Sequence, residues 1–393
     1  MLGNSAIPMD EGSIVHLLQR LLEYAVMRHA SDIHLEPKTN ELAVRLRIDG
    51  ILQRQRSFPA EVSAAVASRI KVLAHMDIAE KRIPQDGTFA MEVQGKVINL
   101  RCSSFPCQHG EKVVLRILSE DIILTDLGSL GVSSDQLLLL KQAITASHGL
   151  ILATGPTGAG KTSTLHSLIK RLDYDSLNIT TLEDPIEVRS DRLVQAQIHP
   201  RIDFTFASGL RHVLRQDPDV ILVGEMRDTE TAQIAFQASL TGHLVLSTLH
   251  TTSCVDTITR LLDMGLEPYL VASSLSIIIA QRLVRLLCPL CREPYQPDKN
   301  LAKSMGFHLP GHSGMIYRPR GCQECSSTGY RGRTGLFEVL EVDDDIRSLI
   351  KQKAPSHLYK NVLAERQVPT LRRDGIRKVL EGLTSIQEVM RVT

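Results

Sequence analysis

The chain has 393 residues, 43% hydrophobic and 23% charged, and its 45 Lys and Arg nearly cancel its 44 Asp and Glu. Such a length predicts two or three domains with cores of their own. The charge balance excludes bulk attraction to nucleic acid or an anionic membrane, leaving a local basic surface as the only route to either.

The opening stretch MLGNSAIPMDEGS has neither the basic nor the apolar region of a secretory signal, which predicts a cytosolic protein. Ser13 is placed to cap a helix whose Ile14, Leu17, Leu18, Leu21, Leu22 and Ala25 repeat at three-and-four spacing. The alternating runs ELAVRLRIDG, GTFAMEV and KVINLRCSS follow and predict strands of a mixed α+β domain over residues 1–124. Residues 125–134, TDLGSLGVSS, are expected to be a linker. Over 135–393 the apolar runs LILAT, NITTL, VILVG and HLVLST alternate with helical segments, the pattern of an α/β domain whose parallel sheet is buried on both faces. The run YLVASSLSIIIAQRLVR is interrupted by Gln281 and Arg282, so it is too short to span a membrane and is expected to be a buried helix. Residues 285–330, rich in Cys, Pro and Gly, predict an inserted small module.

Gly155-Pro156-Thr157-Gly158-Ala159-Gly160-Lys161-Thr162 fits the phosphate-binding loop GxxxxGK[ST], with an apolar strand before it and a helical pattern starting near Ser163 after it. Glycines let backbone N–H groups close around phosphates; Lys161 supplies a cation for the β- and γ-phosphates and Thr162 a ligand for Mg²⁺. ATP and Mg²⁺ are therefore the expected cofactors.

In an open parallel sheet, ligands sit at the carboxyl ends of the strands. NITTL closes on Glu183 and Asp184, DVILVG on Glu225, and HLVLST on His250; Asp219 opens its strand, at the wrong end. Glu225 is then the candidate to work with Mg²⁺ or the attacking water, the alternative being a loop cap. His243 and His250 lie on opposite faces of one strand, roughly 23 Å apart at about 3.3 Å per residue, and cannot share a metal. An imidazole at His250 can report the loss of a γ-phosphate or be a satisfied core group; His243 fits a structural role better.

Cys288-Pro-Leu-Cys291 and Cys322-Gln-Glu-Cys325 form two CxxC pairs, a four-thiolate set suited to structural Zn²⁺. Buried free thiols or a redox pair are the alternatives. Cys102, Cys107 and Cys254 fit no ligand spacing.

Taken together, ASDIHLEP, RLRIDG, AEKRIPQDG, GPTGAGKTST, TLEDPIE, LRQDPDVILVGEMRD, TGHLVLSTLHTT and QRLVRLLCPLC resemble, in order and through nearly the whole chain, the type II secretion and type IV pilus assembly ATPases. The resemblance implies a RecA-like ATPase domain preceded by a smaller PAS-like α+β domain. It also implies a cytoplasmic homohexamer with ATP bound between the two domains, working on a pilus or pseudopilus and held peripherally at the inner membrane by platform and assembly proteins. Glu183, Asp184 and Glu187 fall on the family's acidic box, Glu225 on its Walker B glutamate, and His243 and His250 on its histidine box. Arg211 and Arg215 match arginines near the nucleotide, and Arg47, Arg54 and Arg69 are candidates from the N-terminal domain. The phosphate-loop set extends through Ser163. Thr252 stands where the family usually has Asn. The four-cysteine module is usual in the assembly branch and generally missing from pilus-retraction ATPases. That retraction function and a nucleic-acid translocase or helicase are the competing readings; no Trp and only 7 Tyr and 8 Phe leave the translocase little stacking surface.

Overall fold

A computed structural model describes residues 14–118, 126–297 and 315–393. The expected cap at Ser13 and the first linker residue, Thr125, lie outside the described residues. The chain divides into two compact units, Met1–Ser119 and Glu120–Thr393.

In the first unit, helix α1 (Ile14–Met27) buries Leu18, Leu21, Leu22 and Ala25, the face set by its apolar spacing. It is followed by β1 (Ala30–Pro37), β2 (Glu41–Ile48), β3 (Ile51–Arg54), β4 (Phe58–Pro59), helix α2 (Ser63–Leu73), β5 (Gln85–Val93), β6 (Lys96–Cys107) and β7 (Gly110–Leu118). The strands form one antiparallel sheet in the order β3-β2-β1-β7-β6-β5, with β4 beside β2. Alternation does the sorting: Leu100, Cys102 and Ser104 of β6 point inward while Asn99, Arg101 and Ser103 do not reach full burial. Lys71 on α2 is buried, pairs with Glu111 and donates to the carbonyl of Glu80 at 2.7 Å, which fastens the AEKRIPQDG segment to the helix.

The second unit runs through α3 (Ser134–Ile144), β8 (Gly149–Thr154), α4 (Lys161–Ile169), β9 (Ile179–Glu183), β10 (Val194–Gln197), α5 (Phe206–Val213), β11 (Val220–Val223), α6 (Thr229–Leu240), β12 (Leu244–Leu249), α7 (Cys254–Asp263), α8 (Pro268–Ser274) and β13 (Leu275–Leu287). The short pair β14 (Glu293–Tyr295) and β15 (Ile316–Arg318) comes next, then β16 (Tyr330–Glu341) and four helices between Asp344 and Val392. Its sheet has the order β10-β9-β11-β12-β8-β13-β16, parallel throughout except for the antiparallel edge pair β13–β16. Leu150 and Leu152 of β8 enter one core and Ile151 and Ala153 the other, so both faces are covered, as the unbroken apolar runs predict.

Two expectations change. The run 269–285 is not one helix: α8 stops at Ser274, and the rest is β13, paired with β8 on one side and β16 on the other. A short apolar run cannot be assigned by periodicity alone, and the β-branched Ile277, Ile278 and Ile279 fit a slot between two strands. The stretch expected as a linker belongs, from residue 126, to the second unit. Leu127 is fully buried there, Leu130 accepts a bond from the Gly335 amide at 2.8 Å, and Ser133 caps α3 in a capping box. No helix among the described residues is long and apolar enough to cross a membrane.

Candidate active site and metal centre

The loop 155–160 joins the C-terminal end of β8 to α4. Gly155, Gly158 and Gly160 have φ of 150°, 77° and 86°, conformations that a side chain disfavours. Space forbids one as well: a Cβ on Gly155 would lie 2.5 Å from the Gln281 carbonyl, and one on Gly160 2.9 Å from Gln281 Nε2. The loop is pressed against the middle of β13, where Gln281 also accepts a bond from Thr164 Oγ1 at 2.7 Å. Because α4 begins at Lys161, the amides of Lys161, Thr162 and Ser163 open the helix, where no intrahelical acceptor is available to them. Lys161 is 8% exposed and donates to the carbonyls of Gly155 at 2.7 Å and Pro156 at 3.2 Å, closing the loop on its own ammonium. Burial pulls its pKa down to about 8; the attraction of Glu225 works the other way and nearby Arg282 adds to the depression.

Lys161 and Thr162 line a cavity of about 140 Å³ whose acidic wall is Glu183, Asp184, Glu187 and Glu225. Glu183 closes β9 and is buried. Its Oε1 accepts from Thr181 Oγ1 at 2.6 Å and Gln195 Nε2 at 3.0 Å, and its Oε2 faces His166 Nε2 at 3.5 Å. Burial opposes its ionisation, yet His166, Thr181 and Gln195 together hold the carboxyl below its usual range. Glu225 follows Gly224, whose amide donates to Leu182 O at 2.8 Å and whose carbonyl accepts from Thr248 Oγ1 at 2.7 Å. Locked between β9 and β12 in this way, the chain turns the Glu225 carboxylate into the cavity. There it meets Arg227 Nη2 at 2.6 Å and His250 Nε2 at 3.5 Å.

The sheet thus gathers Lys161, Thr162, Glu183, Asp184, Glu225 and His250 at one end. His243 is at the other end of β12, its Nδ1 hydrogen-bonded to the Ala238 carbonyl at 2.9 Å. Asp219, also at that end, accepts from the Asn178 amide at 2.7 Å. Arg211 and Arg215 are not among the cavity's lining residues: exposed on and just beyond α5, Arg211 pairs with Glu230 and Arg215 contacts His212. Thr252 donates to Asp256 and accepts from Arg282 Nη2 at 2.9 Å. Sequence reasoning gave no role to Gln281, Arg282, His166 or Gln195. For Gln281 and Arg282 the signal was present, as the polar pair that interrupts an apolar run. For His166 and Gln195 there was none.

The four paired cysteines converge. All four Sγ atoms lie within 4.8 Å of one another, with Cys288–Cys322 at 3.9 Å, Cys291–Cys325 at 3.7 Å and Cys322–Cys325 at 3.7 Å. A disulfide needs ~2.05 Å, whereas four sulfurs at ~2.3 Å from a tetrahedral Zn²⁺ stand about 3.8 Å apart. Cys325 Sγ also accepts from the amides of Cys322 and Gly329, each at 3.1 Å. Although burial works against its ionisation, these donors bring the thiol down to about 6. The donor set fits a closed zinc site.

Residues 8–391 match the model of the family described as Type II/IV secretion system protein. The chain belongs to that family. It is 48% identical over 384 residues to the type II secretion system protein E of Pseudomonas aeruginosa, covering 98% of this chain and 76% of that one. To the type IV pilus assembly ATPase TfpB of Acinetobacter baylyi it is 44% identical over 399 residues, covering 100% of this chain and 67% of the relative. The X-ray structure of the Legionella pneumophila ATPase DotB superposes with a TM-score of 0.71 over 99% of this chain and 98% of that one, at 22% identity, which shows a shared fold. This member of the family is an ATPase of the secretion and pilus-assembly class.

Proposed function

We propose that the second unit is a RecA-like motor domain that hydrolyses ATP at the cavity between the phosphate loop and the acidic strand ends, to assemble a pilus or pseudopilus. The observation that carries this is the meeting of Lys161 and Thr162, at the start of α4, with Glu225 at the end of β11 in one cavity. The cavity's 140 Å³ is below the ~300 Å³ at which pockets begin to enclose whole small molecules, so it fits the phosphate end of a nucleotide, leaving the rest on the open side.

Four carboxylates beside anionic phosphates would repel them. Thr162 and the acidic wall would hold Mg²⁺, which would supply the charge that makes the two compatible. The amides of 158–163 and Lys161 bind and orient the phosphates, Glu225 takes the proton of the attacking water, and His250 holds Glu225 in place and faces the position of the leaving phosphate. Glu183 and Asp184 complete the acidic wall. Zn²⁺ on the four cysteines would tie 288–291 to 322–325 and, with all four positions filled by thiolates, would leave none open for hydrolysis.

The finer assignments go with the family reading: a homohexamer in the cytoplasm at the inner membrane, partnered by platform and assembly proteins, in which the exposed Arg211 and Arg215 serve a neighbouring copy. The cysteine cluster and the secretion and pilus-assembly relatives favour assembly over retraction. Purified protein should hydrolyse ATP in the presence of Mg²⁺, and Lys161→Ala should weaken nucleotide binding at least tenfold; unchanged affinity would move the site elsewhere.

A further inference from the structure

His166 is a buried ionisable group that the phosphate loop does not require. It lies one turn beyond Thr162 on α4, so the helix presents both side chains on one face: Thr162 to the cavity, His166 to the wall behind it. The imidazole side chain is 5% exposed, as is the carboxylate it faces, and Nε2 has no hydrogen-bond partner within ordinary range. Its neighbour at 3.5 Å is Glu183 Oε2. The other oxygen of Glu183 is occupied by Thr181 and Gln195, donors from β9 and β10, which leaves His166 as the donor available to Oε2 among the described residues. Glu183 is therefore fixed on one side by its own sheet, and on the other it faces, without a bond, the helix that carries Lys161 and Thr162.

We propose that His166 is a positioning residue for hydrolysis: its Nε2–H holds the second oxygen of Glu183, so that the acidic wall keeps its place relative to the phosphate-loop helix. Closing the gap by about half an ångström turns the contact into a charge-assisted hydrogen bond, and a small movement of α4 around bound phosphate would be passed to Glu183 through it. The role rests on the reading of the cavity as the hydrolytic site.

The test compares ATP turnover and KM in His166→Phe, which keeps an aromatic ring and removes the donor, and His166→Gln, whose amide reaches the place of Nε2. His166→Phe should lower kcat about tenfold with KM for ATP within about twofold, His166→Gln should recover to within about threefold of the parent, and in a Glu183→Gln background His166→Phe should cost nothing further. Wild-type kcat in His166→Phe, or an equal loss in both variants at unchanged melting temperature, would overturn the proposal. Should His166→Phe fail to fold, Gln against Asn makes the same comparison, since only the longer amide reaches Oε2; equal turnover in those two would overturn it. Full turnover in Glu183→Gln would instead remove Glu183 from the site, a failure of the functional reading that is distinct from an impaired Glu183→Gln beside a normal His166→Phe.

Discussion

Glu225 and His250 end adjacent parallel strands, and Nε2 of the histidine stands 3.5 Å from Oε2 of the glutamate. The histidine is about half exposed at the rim of the cavity while the carboxylate is largely covered. Such a histidine can be lost without opening the core, and its loss frees one oxygen of the proposed base. His250→Ala should retain ATP binding within about threefold and lose about tenfold in turnover, the size expected for removing one polar neighbour of a charged group. Loss of folding or of nucleotide binding, read by thermal melting and calorimetry, would return His250 to a structural role.

The depressed pKa of Lys161, about 8, places a titration near working pH. Bound phosphate requires the ammonium, so ATP affinity should be steady below about pH 8 and fall above it, by up to about tenfold per pH unit, with proton uptake on binding. In the protein without nucleotide the sign reverses. Between about 8 and 10.5 the unfolded chain binds a proton that the folded one has released, so this residue's contribution to stability rises with pH. In Lys161→Arg the affinity step should vanish, because guanidinium stays charged. Calorimetry at pH 7, 8 and 9 checks both, and a flat profile in the parent protein would contradict the buried-lysine account.

The cysteine cluster predicts one Zn²⁺ per chain. Cys322 and Cys325 lie in one knuckle, so replacing both by Ser should lower metal content to near zero and expose the described stretches 288–297 and 315–329 to proteolysis. ATP affinity should change less than about threefold, because the phosphate loop rests on β8, β12 and β13 and their own aliphatic contacts. Elemental analysis and limited proteolysis read the outcome; zinc-free wild-type protein prepared without chelator would refute the site.

The parallel core was legible because its strands are buried on both faces: LILAT, VILVG and HLVLST could be nothing but interior, and the residue ending each run had to lie at the ligand end. The cysteine cluster was legible because two CxxC pairs offer four thiolates, and the fold, by bringing the four sulfurs within 4.8 Å of one another, favours the metal reading over buried thiols or a redox pair. What failed was local ambiguity and long-range pairing. The run 269–285, expected as one helix, fitted helix and strand alike until β8 and β16 were there to receive its second half. Gln281 braces a loop whose Thr164 is 117 residues earlier, and Gln195 and His166 reach Glu183 from 12 and 17 positions away on different elements. Only the fold brings such partners together.

The central claim is that Glu225 activates water at a phosphate site built on Lys161 and Thr162. Its most direct measurement is single-turnover hydrolysis by Glu225→Gln, with ATP affinity determined on the same preparation. The amide keeps the shape and loses the basicity, so ATP should bind within about threefold of the parent while cleavage slows by at least about a hundredfold. Near-normal cleavage by Glu225→Gln would contradict the account and move the base to Glu183.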